Sequence, residues 1–430
     1  MAITGRAVIL AAFGVVLAML VPQPATVLIW SAVVLLVCLV DVALAASPRR
    51  VALARTTPGS VRLSETTTAT LTVRNDNSKR LRGIVRDAWV PSAGAVNDRH
   101  VVDLPAGESR RLTTTLIPTR RGDRAADLVT VRSLGPLGLA ARQASLTCPA
   151  HLRVLPEFTS RRHLPSRLAR LREMDGRTAV QVRGVGTEFD SLREYTIGDD
   201  VRSIDWRATA RRADVVVRTW RPERDRRVLV VIDTSRTSAA RIGDLPRLDA
   251  AIEAALLLTA LTTKAGDRVD LVAMDRTAQA QVSGITGPQL LPTVADALAV
   301  VEPKLVEADW PRIVSEVMRR VTQRSLVVLL TALEPAAAES GLLDAIIPLA
   351  TKHTVVVASV RDEELGELAS RRGSVADVFD AAAAERTMLE RLAVIELVRL
   401  AGADVVDELP ESLAPALADR YLALKAAGKL

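Results

Sequence analysis

The densest run of chemistry-bearing side chains lies between residues 194 and 211: Glu194, Asp199, Asp200, Arg202, Asp205, Trp206, Arg207 and Arg211. Carboxylates and guanidinium groups in such close order suit bidentate ion pairing. Two uses of that network stay open. It pins its own segment to a folded domain, or it presents Asp199, Asp200, Arg202, Asp205, Trp206 and Arg207 to a partner, with Trp206 as the anchor. Asp233 is the second candidate. It ends the apolar run 228–232, which reads as a buried strand. In open α/β sheets, ligands bind beyond the carboxyl ends of strands.

Catalytic sets are hard to assemble from the rest. The sequence contains no Gly-x-x-x-x-Gly-Lys-Ser/Thr phosphate loop and no Gly-x-Ser-x-Gly elbow. His100, His151, His163 and His353 are scattered without metal-ligand spacing. Asp199 and Asp200 are adjacent in sequence, a poor arrangement for paired acid and base. Asp233-Thr234-Ser235 lacks the second aspartate of a phosphatase nucleophile motif. The residues therefore describe a binding protein rather than an enzyme.

These candidates need elements to hold them, and 430 residues allow two or three domains. Hydrophobic residues make up 49% of the chain, which directs attention to long apolar runs. Two occur at the start, over 7–21 and 25–46, separated by Pro22-Gln23-Pro24. The second is long enough to span a bilayer and the first is at the short end of the range. Arg6 precedes them and Arg49, Arg50 and Arg55 follow, whereas the intervening loop is uncharged. Basic flanks stay in the cytoplasm, so residues 1–50 are expected to form a two-helix transmembrane hairpin with the remaining chain cytoplasmic. A cleaved signal peptide has a shorter apolar core and no Pro-x-Pro break. The net charge of +7 comes with only 3% aromatics, and its arginines are spread along the whole chain. Nucleic-acid surfaces pair basic residues with stacking aromatics, so no specific nucleic-acid partner is expected. The two cysteines, one inside an apolar run, provide no disulfide framework.

Short alternating segments separated by turn residues fill 51–155 and predict a small β-sandwich. Residues 156–186 carry seven arginines and no strong apolar period, which reads as a solvated linker with one short helix, or as a polybasic segment near lipid headgroups. From residue 227 apolar strands alternate with helices. Strands are expected at 228–232, 269–273, 326–330, 354–359 and 404–406, and helices at 248–263, 289–301, 341–350, 375–401 and from Pro410. This pattern predicts a parallel sheet covered on both faces.

Two stretches carry a family resemblance. Residues 186–211, from Gly186-Thr187-Glu188-Phe189-Asp190 to Ile204-Asp205-Trp206-Arg207, and residues 231–237, Val231-Ile232-Asp233-Thr234-Ser235-Arg236-Thr237, resemble the bacterial "domain of unknown function 58" family. The chain order of hairpin, β domain, signature segment and α/β domain is similar as well. So is Tyr421-Leu422-Ala423-Leu424-Lys425 near the end. The resemblance implies that residues 187–430 hold the signature segment and a von Willebrand factor A-like, Rossmann-like domain. It also implies a MoxR-type AAA+ ATPase as partner, with this chain as adaptor in the assembly or maturation of envelope-associated complexes.

Von Willebrand factor A domains hold Mg²⁺ with an Asp-x-Ser-x-Ser motif. Here that motif is Asp233, Ser235 and Thr237, and one carboxylate with two hydroxyls suits a hard cation. Thr286 is the candidate for a threonine from a second loop. The last carboxylate should follow strand 326–330, where Thr331-Ala332-Leu333 puts alanine in its place. The implied metal site is therefore degenerate. The bland alternative has Asp233 and Ser235 capping the following turn through backbone amides. A Mg²⁺-dependent hydrolase centred on Asp233 is the other functional reading.

Overall fold

The computed structural model describes residues 2–181, 188–197, 199–212, 214–221 and 226–430, in two compact units, 1–157 and 158–430. Residues 186 and 187 at the head of the signature, and Gly198 within it, lie outside the described residues.

The first unit opens with helices Gly5–Leu20 and Pro24–Leu44. Proline stands in the first turn of the second helix, where its missing N–H breaks no bond. The two helices pair through Phe13 and Trp30, whose ring centroids are 6.0 Å apart. Trp30 Nε1 donates to the Leu10 carbonyl at 3.2 Å, and Gly14 leaves the space its ring occupies. Pro24–Leu44 is long and apolar enough to cross a membrane, with a mean hydropathy of 2.8 and almost none of its surface covered by protein; Gly5–Leu20 is apolar but shorter.

Behind the helices stand two β-sheets. One runs Ala2–Ile3, Ala140–Leu155, Gly122–Leu134, Leu81–Ala88, Arg99–Leu104, with Ser60–Arg62 also on Ala140–Leu155. The other runs Val51–Thr56, Thr67–Asn75, Ser109–Leu116, Ala95–Val96. Alternate residues point inward, so Leu71 and Val73 meet Leu81, Val85, Val129 and Val131 in one core. Ala140–Leu155 is a single 16-residue strand within the stretch 51–155 expected to be β, and its register shifts between Thr147 and Ala150. Its polar first half concealed its length. Arg55, read from sequence as part of the basic flank, is instead fully buried and ion-paired to Asp87.

The second unit is built on a six-stranded sheet in the order Ala278–Val282, Arg268–Met274, Arg227–Asp233, Leu326–Leu330, Thr354–Val360, Asp404–Glu408. Neighbours pair parallel except at the Ala278–Val282 edge, which is antiparallel. Strand residues alternate between two cores. Val228, Val230 and Ile232 face helices Arg247–Lys264 and Pro410–Ala426, whereas Leu229 and Val231 face helices Trp310–Arg320 and Leu343–Lys352. Sequence periodicity missed the edge strand and the Trp310–Arg320 helix. The helix expected from residue 341 begins at Leu343, because Gly341 takes φ +106° and breaks the helical path.

The Arg-rich stretch is not simply a linker. Helix Leu164–Gln181 buries Leu171 and packs Leu164, Leu168 and Met174 against the α/β core, with Arg167 paired to Asp419 at 2.7 Å. An apolar stripe was present, but the arginines between its members hid it.

Candidate functional site

Asp233 ends the central strand Arg227–Asp233. From this strand the chain first builds outward to Arg268–Met274 and Ala278–Val282, then crosses back to Leu326–Leu330 on the other side. Asp233 thus stands where strand order reverses, the place that opens a crevice at the carboxyl edge of such a sheet.

The carboxylate is 3% exposed and closely dressed. Oδ1 accepts the Ser235 amide at 2.8 Å. Oδ2 accepts the Thr237 hydroxyl at 3.1 Å and the Thr331 hydroxyl at 2.7 Å. Ser235 Oγ lies 3.1 Å from Thr237 Oγ1, and Ser238 Oγ donates to the Asp233 carbonyl at 2.7 Å. The three residues singled out in the sequence are therefore brought together, and Asp233 caps the turn after its strand. Thr331 was missed. It immediately precedes Ala332, where a carboxylate was sought, and its hydroxyl reaches Asp233 from the neighbouring parallel strand. Among the described residues no three His, Cys, Asp or Glu side chains converge as a metal cluster.

A second loop approaches from residues 304–309. The Lys304 amide donates to the Thr234 carbonyl and the Arg236 amide to the Val306 carbonyl, both at 2.8 Å. Thr286 is not in this loop. Strand Ala278–Val282 runs back toward the amino end of the sheet, where Gly284 N reaches Asp270 Oδ1 at 3.3 Å, so Thr286 follows at the edge opposite Asp233. The spacing could not reveal this, because the antiparallel edge strand was itself unseen.

Asp275, just past the end of the adjacent strand, forms a second buried carboxylate. Its Oδ2 accepts Thr234 Oγ1 at 3.1 Å and Gln279 Nε2 at 2.6 Å, with Lys304 Nζ at 3.8 Å. Burial pushes its pKa up. Gln279 and the amides of Thr277 and Arg276, with Thr234, outweigh burial and hold it below the usual carboxylate range. On the other flank, buried Arg247 donates to the Thr237 carbonyl at 3.2 Å and pairs with Glu334. The Glu334 carboxylate is thereby turned to Arg247.

The signature segment forms a hairpin of strands Glu188–Glu194 and Val216–Arg221 around helix Trp206–Arg212. Asp199 pairs with Arg193 and accepts the Thr196 amide at 2.9 Å. The Arg193 guanidinium, then that amide, lower its pKa to about 2. Asp205 accepts the Ala208 and Arg207 amides at 3.0 Å each and pairs with Arg218 at 2.9 Å. The amides, above all that of Ala208, and Arg218 hold its pKa down. Asp200 accepts the Arg202 amide at 2.9 Å. The carboxylates thus serve their own segment, and the guanidinium partners, Arg193 and Arg218, are not those first singled out. Trp206 is 66% exposed on this hairpin.

The family profile described as "Protein of unknown function DUF58" matches residues 191–401, from the signature hairpin through the Val375–Leu400 helix. "Uncharacterized protein Rv1480" of Mycobacterium tuberculosis (strain ATCC 25618 / H37Rv) is 28% identical over 152 residues, 35% of this chain and 48% of that protein. "Uncharacterized protein Mb1516" of Mycobacterium bovis matches to the same extent. The chain spans about half the length of these curated relatives. Neither the family description nor these names carries an enzymatic activity. Among solved structures, PapD-like domain 7 of human CEP192 is 12% identical, covering 25% of this chain and 85% of that one, with a TM-score of 0.17. The CARDB domain of PF1109 from Pyrococcus furiosus is 18% identical, covering 22% and 93%, with a TM-score of 0.16. Scores this low carry no argument about fold or function.

Proposed function

We propose that this chain is a non-enzymatic adaptor. Its two N-terminal helices anchor it in the membrane as a hairpin with both ends in the cytoplasm. Its second unit is a von Willebrand factor A-like domain that works with a MoxR-type AAA+ ATPase on envelope-associated complexes. The observation that carries the reading is the Asp233 centre. It stands at the strand-order reversal, where ligands dock, yet its carboxylate and hydroxyls are turned on one another. The sheet order, with one antiparallel edge, supports the domain type. The donor set fits a resident Mg²⁺ poorly: one carboxylate, both of whose oxygens accept protein donors, with the Arg247 guanidinium close by. No step is assigned to a metal.

The adaptor reading is tested by cross-linking the full chain in its native membrane and identifying co-purifying proteins by mass spectrometry. An AAA+ ATPase is expected with the wild type. It should be lost from Trp206→Ala or Asp233→Ala variants that retain the wild-type circular dichroism and a cooperative melting transition. Recovery of no AAA+ protein with the wild type at native expression overturns the partner assignment. An active alkaline phosphatase fusion at the C-terminus overturns the cytoplasmic placement.

A further inference from the structure

Asp41 is an aspartate inside the apolar helix Pro24–Leu44, one turn from its end, and it is fully buried. A carboxylate there requires compensation. It finds it in the turn joining strands Gly122–Leu134 and Ala140–Leu155. Oδ1 accepts the Leu137 amide at 2.8 Å, and Oδ2 accepts the Leu139 and Ala140 amides at 2.8 and 3.0 Å. Gly135 lies so close to Asp41 that a Cβ there would collide with the carboxylate. The start of the first helix meets the same turn. Thr4 Oγ1 donates to the Gly138 and Leu139 carbonyls at 2.7 and 3.0 Å, and Arg6 lies against Gly138. A further loop closes on the end of the second helix. Asn77 Nδ2 donates to the Ser47 and Arg50 carbonyls at 3.1 and 3.0 Å, and Lys79 Nζ to the Ala43 carbonyl at 3.3 Å. The helix ends and one end of the β-sandwich are thus fastened together.

Arg74, Arg80, Arg82 and Arg86 each pair with an aspartate. Arg6, Arg49, Arg50 and Lys79 are exposed and, among the described residues, none of them pairs with a carboxylate. Leu137, at the tip of the Asp41-bound turn, is 54% exposed.

The geometry points to a lipid-binding base: the 135–140 turn lies at the bilayer interface, and Arg6, Arg49, Arg50 and Lys79 contact anionic phospholipid headgroups. This rests on the membrane-anchoring reading. Once the apolar helix spans, the Asp41 latch fixes the distance of the base from the hydrocarbon. Leu137 then enters the interface and the four cations reach phosphate, the anion they lack. The Asp41 carboxylate stays out of the lipid because it is buried against the three backbone amides of this turn.

The full chain, with Cys148→Ala, is reconstituted into vesicles of phosphatidylcholine with phosphatidylglycerol. A spin label is placed at native Cys38, or, with Cys38→Ser added, at Leu137→Cys or Glu65→Cys. Glu65 lies just before strand Thr67–Asn75, whose other end adjoins the base, roughly 30 Å away at the rise of a strand. Collisions with oxygen and with a water-soluble nickel chelate report depth. Position 38 should report hydrocarbon, 137 the interface and 65 water. Asp41→Asn, and independently Gly135→Ala, should shift position 137 toward water while position 38 stays in lipid. Position 38 in lipid with 137 as aqueous as 65 overturns this inference alone. Position 38 in water overturns the anchoring reading as well. In detergent, the wild type should retain several-fold more phosphatidylglycerol than phosphatidylcholine, and Arg50→Gln/Lys79→Gln should lose that preference. Equal retention by the wild type overturns the headgroup assignment.

Discussion

Asp87 in the β unit and Asp233 in the α/β unit are both nearly devoid of solvent exposure, and the protein neutralises them by different means. Asp87 meets the Arg55 guanidinium, with Nε at 2.9 Å, and its other oxygen accepts Trp89 Nε1 at 3.0 Å. Arg55 lies on strand Val51–Thr56 of one sheet and Asp87 on strand Leu81–Ala88 of the other. The pair ties the sandwich together, and Arg55 also donates to the Ala126 carbonyl at 2.7 Å. Asp233 receives two hydroxyls and one amide and no cation. A buried charge matched by a charge is committed to the fold. One matched by hydroxyls, which can rotate to other acceptors, keeps some capacity for a ligand at the sheet edge. Asp267 lies between these extremes, bound by Lys425 at 2.7 Å and by the Tyr421 hydroxyl.

The most severe test removes the charge match. Asp87→Ala strands the Arg55 guanidinium in the sandwich and should cost about 3–5 kcal/mol in denaturant unfolding of the full chain in detergent. Arg55→Met/Asp87→Leu should recover most of that loss. A loss below about 1 kcal/mol would remove the distinction between the two sites.

Tyr421→Phe deletes a hydrogen bond to a charged acceptor in the intermediate case. It should cost about 1.5–3 kcal/mol in the same assay. Tyr421 is buried in the α/β core, so the loss should fall on the transition of that unit.

Asp233→Ala leaves the Ser235 amide and the Thr237 and Thr331 hydroxyls without their acceptor. The expected loss is about 1–3 kcal/mol, below that of Asp87→Ala, with partner capture more affected than stability. If Asp233→Ala unfolds the chain outright, the centre is structural and the comparison collapses.

The smallest expected effect comes from a buried base. Burial, and then the charge of Lys352, push the His353 pKa below its ordinary 6.5. The unfolded chain then takes up the proton first as pH falls. Stability should be full above about 6.5 and decline below it, until the folded-state pKa is passed. A His353→Gln variant should flatten the melting temperature between pH 7 and 5. An unchanged slope would assign the acid sensitivity to other groups.

Legibility in the sequence followed the kind of force involved. The 228–232 run and its terminal Asp233 were readable because continuous apolar residues and a closing carboxylate are local facts. The hairpin turn at Pro22-Gln23-Pro24 was readable for the same reason. The helix expected in 156–186 is longer than a short solvated one and packs on the core as Leu164–Gln181, because seven arginines obscure its apolar stripe. Arg55 was misplaced because a local reading sees an arginine near a membrane helix and cannot see Asp87 across the sandwich, 32 residues away in the chain. Thr331 was not legible because the motif places a carboxylate one residue later, where Ala332 stands.

The sequence by itself determined where the apolar helices lie, that strands and helices alternate after residue 227, and that Asp233, Ser235 and Thr237 cluster, since these follow from hydrophobic period and from spacings of two to four residues. Only the tertiary structure decided what each buried charge meets: Arg55 for Asp87, the 137–140 amides for Asp41, Thr331 for Asp233. Those partners lie 32 to 99 residues away and are chosen by strand register and turn position. A buried charge takes whatever donor packing brings within about 3 Å, and packing is a property of the whole fold.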